Sequence, residues 1–282
     1  MTATVRSGRP AHRSRARDRL GFRRARRCRS PCGTARIVRL SILWAVEDVH
    51  TGRERRVTEE DFRVDPGAPV FFLSYARTRN RVAAPPRDTN QKVFQLFVDL
   101  SDHVVELLGL PAGRPAGFMD RMLDGGQVWT DDLAFAAGHC QVFIPLISPQ
   151  YLNSAWCARE WDAFARRRVT LRPGAVTTPG ETPIIPVNWS VVERRSMPPV
   201  VSQRQMFSPT RLPSDIAPQY QEEGIYGLLS LGKNGKDAYD AVVWRLAQRV
   251  ARAYHTHWVR AEVPADMGRL RATFEEVGHD LV

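Results

Sequence analysis

The sequence is poor in cysteine and has no apolar run long enough for a membrane-spanning helix. It also lacks the short motifs that mark common metal and nucleotide sites. Its 282 residues hold four cysteines, Cys28, Cys32, Cys140 and Cys157. So sparse a set does not build a disulfide framework and suits a reducing, cytoplasmic compartment. Cys28 and Cys32 have the spacing of half a zinc site, but no second ligand pair follows. Cys140 and Cys157 sit at the edges of apolar segments and read as small core residues. The apolar stretch at 37–46 is only ten residues long and contains Arg39, too short to span a bilayer. No small-residue cleavage site follows it, which argues against a signal peptide. Gly227–Asn234 nearly spells a phosphate-binding loop. Asn234 replaces the magnesium-binding hydroxyl, however, and the intervening residues are apolar, so the segment reads as a strand plus a turn. His255 and His257 would diverge on a helix and form no metal pair. No Gly-x-Ser-x-Gly nucleophile elbow occurs. Neither a metal nor a bound cofactor is expected.

The net charge of +11 looks at first like a nucleic-acid signature, but its distribution argues otherwise. Residues 1–60 hold 16 Arg and no Lys against six acidic residues; the remainder holds 25 basic and 24 acidic residues and is close to neutral. A near-neutral domain has no global electrostatic reason to bind nucleic acid. Runs such as Arg23-Arg24-Ala25-Arg26-Arg27 lack apolar periodicity, so residues 1–60 are expected to form a disordered, Arg-rich extension. That arm could serve nucleic acid or acidic lipid. With no aromatic residues interleaved as stacking platforms, the preferred reading is an extension without a specific ligand, or an early start codon.

Beyond residue 60 short apolar runs alternate with amphipathic stretches. Val70–Tyr75, Ala116–Asp120, Gln141–Ser148, Thr182–Asn188 and Gly224–Leu231 read as buried strands. Pro145 is unwelcome inside the third and implies irregular pairing there. Val93, Phe97, Leu100, Val104 and Leu107 recur at helical spacing, with Asp88 or Thr89 as N-cap and Gly109 as punctuation at the end. A short helix is expected over 131–138. Another opens at Ser154 as N-cap and runs to about Arg167. A final helix from Asp237 to Tyr254 carries Tyr239, Val243, Leu246, Val250 and Ala253 on one face. Residues 190–222 are rich in Pro, Ser and Gln and resist assignment. Strands separated by helices imply a mostly parallel five-stranded sheet with helices on both faces. The domain would span 69–254, followed by a partly helical tail over 255–282. Ligands of such sheets gather at the carboxyl ends of the strands.

Two segments carry the chemistry. The first strand ends in Phe72-Leu73-Ser74-Tyr75-Ala76. The third runs into Ser148-Pro149-Gln150-Tyr151, then Ser154-Ala155-Trp156-Cys157-Ala158-Arg159-Glu160-Trp161, where Trp156 and Glu160 share a helix face. In this order and separation the two segments closely resemble the TIR (Toll/interleukin-1 receptor) domain family. In that family a Phe-Ile/Leu-Ser-Tyr/His strand end is followed by Ser-x-x-Tyr and Ser-x-Trp-Cys-x-x-Glu. Gly117–Asp120, with Gly125-Gly126 and Trp129, resembles the family's second strand and BB loop. The likeness covers residues 69–188 well and the remainder weakly. Phe-x-Pro-Leu-x-Ser and Trp-Cys-x-x-Glu-Trp-x-x-Phe are most similar to the bacterial TIR-like FxsC group.

The resemblance implies a flavodoxin-like fold and a signalling module acting through self-association or contact with another TIR protein. The alternative it implies is an NAD⁺ glycohydrolase, with NAD⁺ as substrate. Glu160 then stands at the family's catalytic position, with Ser74, Tyr75, Arg77, Asp120, Trp129 and Trp156 around the nucleotide. Read without the resemblance, Glu160 is a solvated helix residue or an ion-pair partner of Arg77 or Arg159. Trp156, Trp161 and Tyr75 are then packing residues. The sequence departs from the family after Tyr75. Arg77, Arg79, Arg81 and Arg87 occupy a loop where many members place an acidic residue, and Asp88 lies far along it. Extra Arg there suits a phosphate clamp or a soluble loop.

Overall fold

The computed structural model describes residues 62–77, 90–120 and 131–275, together with the backbone of two short strands that precede them. The chain divides into two compact units, Met1–Ile42 and Leu43–Val282, and every described residue belongs to the second. In chain order the elements are β1 (Trp44–Val46), β2 (Arg55–Val57), β3 (Phe71–Ser74), α1 (Gln91–Leu108), β4 (Gly117–Met119), α2 (Asp131–His139), β5 (Val142–Ile147) and α3 (Pro149–Leu152). There follow α4 (Ala155–Ala165), β6 (Val169–Leu171), β7 (Val187–Asn188), α5 (Pro199–Ser202), α6 (Ile216–Ser230), α7 (Lys236–Thr256) and β8 (His257–Val259). β1 and β2 pair antiparallel inside the segment read from the sequence as lacking structure. The rest of residues 1–60, and Asp88 and Thr89, lie outside the described residues. Asn90 holds the N-cap position of α1, without a side-chain cap, and Gly109 closes the helix in the left-handed region.

The central sheet is parallel and has the order β4-β3-β5-β7. This is the flavodoxin-like order, with the chain stepping from β3 to β4 on one side and then back past β3 to β5. Parallel crossovers are right-handed, so reversing the direction of travel moves the connecting helix to the other face. α1 accordingly packs with α6 and α7 on one face, around Leu96, Leu100, Leu228, Val243 and Leu246. α2 and α4 cover the other, around Leu133, Trp161 and Phe164. β3 is the hinge of this arrangement. Its side chains alternate between the two cores, Phe71 and Leu73 to one and Phe72 to the other. Phe71 meets Phe97 edge-on at 5.9 Å and Phe72 meets Phe143 at 5.7 Å. The fully buried rings of Phe71, Phe72 and Phe143 each stabilise the fold by roughly 1.5–3 kcal/mol.

Pro145 shows why the fourth strand is fragmentary. The N–H of Phe143 donates to Pro183 O at 2.9 Å, that of Ile185 to Phe143 O at 2.8 Å, and that of Trp189 to Ile147 O at 3.0 Å. The donor due between these bonds is residue 145, which has no N–H. Pairing with β5 is thus reduced to a bridge at Ile184 and the two residues of β7.

The expected fifth strand is corrected. Residues 225–230 are helical and belong to α6, which Leu231 caps, with Ile225 and Leu228 buried one turn apart. The near phosphate-loop at 227–234 is likewise a helix end and a turn. Its apolar run satisfies a helix face as well as a strand, so periodicity over eight residues did not separate the two. Past Tyr254, α7 continues to Thr256 and β8 pairs antiparallel with β6 in a separate ribbon. A single 3-10 turn follows at Met267–Arg269.

Gly224 interrupts α6 at φ 63, ψ 179, a region open almost only to glycine. It lets Tyr226 N–H reach Trp189 O at 2.8 Å, and a Cβ there would stand 2.6 Å from the same oxygen. Gly224→Ala is expected to lower stability by at least about 1–3 kcal/mol, read as a drop in the urea midpoint with unchanged slope. An unchanged midpoint would show that α6 can run straight through this position.

Candidate functional site

The chain reverses its winding between β3 and β5, so the crevice for a ligand falls at their carboxyl ends. Ser74 is the last residue of β3 and sits opposite Pro145 in the register. By strand alternation its side chain follows Phe72 toward the α4 face. α3 starts directly after β5, with Ser148 as its N-cap accepting from Tyr151 N–H at 3.1 Å and Pro149 in its first turn. Ser154 caps α4 by accepting from Cys157 N–H at 3.3 Å. These two caps aim Tyr151 and Glu160 back at the end of β3. The Ser74 hydroxyl donates to Glu160 Oε2 at 2.5 Å, and Tyr151 OH lies 3.0 Å from Ser74 Oγ. A hydroxyl has one proton to give, so Tyr151 is the donor in the second contact. The three groups form one chain of hydrogen bonds, Tyr151 to Ser74 to Glu160, at the base of the crevice.

Glu160 is 3% exposed. Burial pushes its carboxyl up to about 8, against the pull of the Ser74 hydrogen bond; the Asp120 charge raises it further, while Arg77 and the Trp156 indole lower it. At neutral pH the carboxyl is therefore mostly protonated. This corrects the reading of Glu160 as a solvated residue. It also has no salt bridge among the described residues, so neither Arg77 nor Arg159 neutralises it by contact.

Tyr75 points to the opposite face of β3. Its hydroxyl donates to Asp120 O at 2.7 Å, and burial pushes it up to about 12. Arg77 Nη2 meets Asp120 Oδ1 at 2.6 Å and the Asp120 carbonyl at 3.0 Å. The ends of β3 and β4 are thereby tied by a partly exposed ion pair beside the buried carboxyl. Of the residues singled out in the sequence, Ser74 and Glu160 are in direct contact, and Tyr75, Arg77 and Asp120 form a second group sharing the same strand end. Trp156 lies one turn before Glu160 on α4. Trp129 lies outside the described residues, as do Arg79, Arg81 and Arg87. Tyr151 was not read as a site residue, although its place three residues after a capping Ser at a strand end was the available signal. Cys157 is buried with its thiol pushed well up, by burial and then by the Glu160 charge.

Among the described residues no cluster of three or more metal-ligating side chains occurs, and no helix is long and apolar enough to cross a membrane. What the geometry defines is a doubly wound α/β domain with a buried carboxyl at its topological switch point. Residues 100–218 match the family model of the TIR domain, which supports the TIR family for this domain and, with it, a role in signalling or protein interaction. The matched span contains Asp120, Tyr151, Trp156 and Glu160; β3, with Ser74, Tyr75 and Arg77, precedes it. No curated protein and no solved structure matched the chain.

Between about pH 4.5 and 8 the folded chain keeps a proton on Glu160 that the unfolded chain has released. Stability therefore falls as pH rises through this window, by at most about 1.4 kcal/mol per pH unit from this group. Glu160→Gln should raise the melting temperature relative to wild type at pH 8.5 and lose that advantage at pH 5. The same difference at both values would show that the carboxyl does not titrate in this range.

Proposed function

We propose that this domain is a TIR-type signalling module that associates with copies of itself or with another TIR protein, and whose crevice hydrolyses the nicotinamide–ribose bond of NAD⁺. The observation that carries the enzymatic half is the Glu160 carboxyl, buried and hydrogen-bonded to Ser74 where β3 and β5 diverge. Burying an ionisable group costs stability, a cost a catalytic site tolerates, and a surface used only for docking has no use for a carboxyl sealed beneath it.

The chemistry suits so sparse a site. The bond between ribose C1′ and the ring nitrogen breaks, and its electron pair stays on the nitrogen, so nicotinamide departs neutral without a general acid. The ribosyl centre left behind is oxocarbenium-like. A preoriented Glu160 carboxylate stabilises that charge, water adds to C1′, and its proton passes to solvent. Ser74 positions the carboxylate. The pyrophosphate lies toward Arg77, which exchanges part of its pairing with Asp120 for the phosphate oxygens. Trp156, one turn before Glu160 on α4, lies beside the rings. The positive charge of bound NAD⁺ favours the ionised form of Glu160, so substrate itself converts the resting acid into the working base form. The Phe-x-Pro-Leu-x-Ser and Trp-Cys-x-x-Glu-Trp-x-x-Phe segments support placing the module nearest the bacterial FxsC-like group.

A second reading, interaction without chemistry, draws on the 3% exposure of Glu160. The two part on one experiment. Concentrated, crowded full-length chain is incubated with NAD⁺ and free nicotinamide is measured by chromatography. Release is expected, with Glu160→Gln slower by about 10²-fold or more. kcat/KM should rise with pH toward a plateau above about 8, where the free enzyme carries the carboxylate. Wild type and variant alike releasing none would leave the interaction role alone.

A further inference from the structure

The ribbon of β6 and β8 has one closed edge and one open edge. On the closed side Val259 N–H donates to Gln141 Oε1, and Val259 O accepts from Gln141 Nε2, both at 3.0 Å. A side-chain amide thus fills the place of a neighbouring strand. Arg167, just before β6, donates to Val259 O at 3.3 Å and Arg260 O at 3.0 Å and fixes the ribbon to its support. Between the strands, Arg260 N–H donates to Arg168 O and Arg172 N–H to Thr256 O, each at 2.9 Å. Backbone groups alternate in direction along a strand. Arg168, Thr170 and Arg172 therefore face β8, while the N–H and C=O of Val169 and Leu171 face outward. No hydrogen bond from the described residues reaches them. The side chains of the same two residues are 42% and 50% exposed, next to Val259 and His257, which are buried and in register with them.

Unpaired N–H and C=O groups along such an edge are a template for pairing with another strand. The charges beside it say what kind of strand. The register that sets Val169 against Val259 sets Arg168 against Arg260. Both are exposed, and neither has an acidic partner among the described residues. Like charges directly opposed destabilise a ladder, and an acidic neighbour reverses the sign of that term. A second copy offering its own β6 is a poor occupant, since antiparallel pairing about Thr170 would set Arg168 of one copy against Arg172 of the other.

We propose that β6 is a docking edge for an acidic, extended segment of another protein, which adds to the ribbon as a third strand. The segment carries two apolar residues at alternate positions, covering Val169 and Leu171, and an acidic residue beside Arg168. Main-chain bonds to Val169 and Leu171 supply the affinity, and the flanking carboxylate supplies the selectivity. This surface is separate from the Glu160 crevice and does not rest on NAD⁺ cleavage.

The test uses the full chain and a fluorescein-labelled peptide of Val-Thr-Val flanked on each side by two Glu, followed by anisotropy. Saturable binding is expected, weakened about tenfold by replacing the peptide's Glu with Lys, by Arg168→Glu, or by raising salt well above 0.15 M. Leu171→Pro removes an outward N–H without touching the bonds to β8 and should abolish binding. A peptide N-methylated at its β6-facing positions makes the same test with the protein unchanged. Absence of binding, or binding indifferent to N-methylation and to Arg168→Glu, overturns the proposal. Concentration-dependent dimerisation that Leu171→Pro abolishes also overturns it, by giving the edge to a second copy.

Discussion

The hydrogen bond from Ser74 to Glu160 depends on three independent features of the chain being right at once. β3 must end in a small hydroxyl, not a fifth apolar residue. The parallel register with β5 must bring that end level with Pro145, so that α3 and α4 leave the sheet beside it. Ser154 must then start α4 at the rotation that turns Glu160, and not Arg159 or Asp162, toward the strand. The carboxyl is held in an apolar surround by the Ser74 hydroxyl, itself fed by Tyr151, and by the Trp156 indole, and burial outweighs both, leaving the group protonated at rest. A carboxyl in this condition is sensitive to any positive charge that enters, because one nearby unit charge in a weakly screened site is worth several kcal/mol.

Around that contact the fold separates rigid from adjustable parts. Tyr75 and Phe71 lock β3 into one core, and Phe72 into the other. The Arg77–Asp120 pair ties the ends of β3 and β4, with side chains 24% and 12% exposed, so it is less screened than a surface pair. The polar groups here thus divide by burial into the Ser74–Glu160 contact, which sets position, and the less buried Arg77 guanidinium held on Asp120.

Much of this was legible before any coordinates. β3, β4, β5, α1, α4 and α7 were each marked by a short fully apolar run or by clear helical periodicity, and Ser154 and Gly109 marked ends by capping chemistry. Ser74 and Glu160 were found together because their motifs resemble a family, not because spacing requires contact between residues 86 positions apart. What failed was local. Gly224–Leu231 is short and apolar, and strand and helix satisfy such a run equally until tertiary contacts decide. Here the decision is made by Trp189 O, which accepts from Tyr226 and demands glycine at 224. β6 and β8 were invisible because Val169–Leu171 and His257–Val259 are each three residues long and pair across more than 80 positions. Tyr151 entered only as a letter of the Ser-x-x-Tyr motif; the position of Ser74 gives its hydroxyl a purpose.

Pro145 has a consequence beyond the strand it shortens. Because the missing N–H lies on the β7 side, the three strands that carry the crevice, β4, β3 and β5, keep an unbroken ladder while the seam to β7 is held by a few bonds. The sheet therefore has a built-in parting line. Under native-state hydrogen exchange the amides near Ile185 and Val187 are expected to open ahead of the core, with Ser74 and Glu160 still joined. Opening along this line would let the segments from Thr182 through α5 and α6 shift without breaking the Ser74–Glu160 contact.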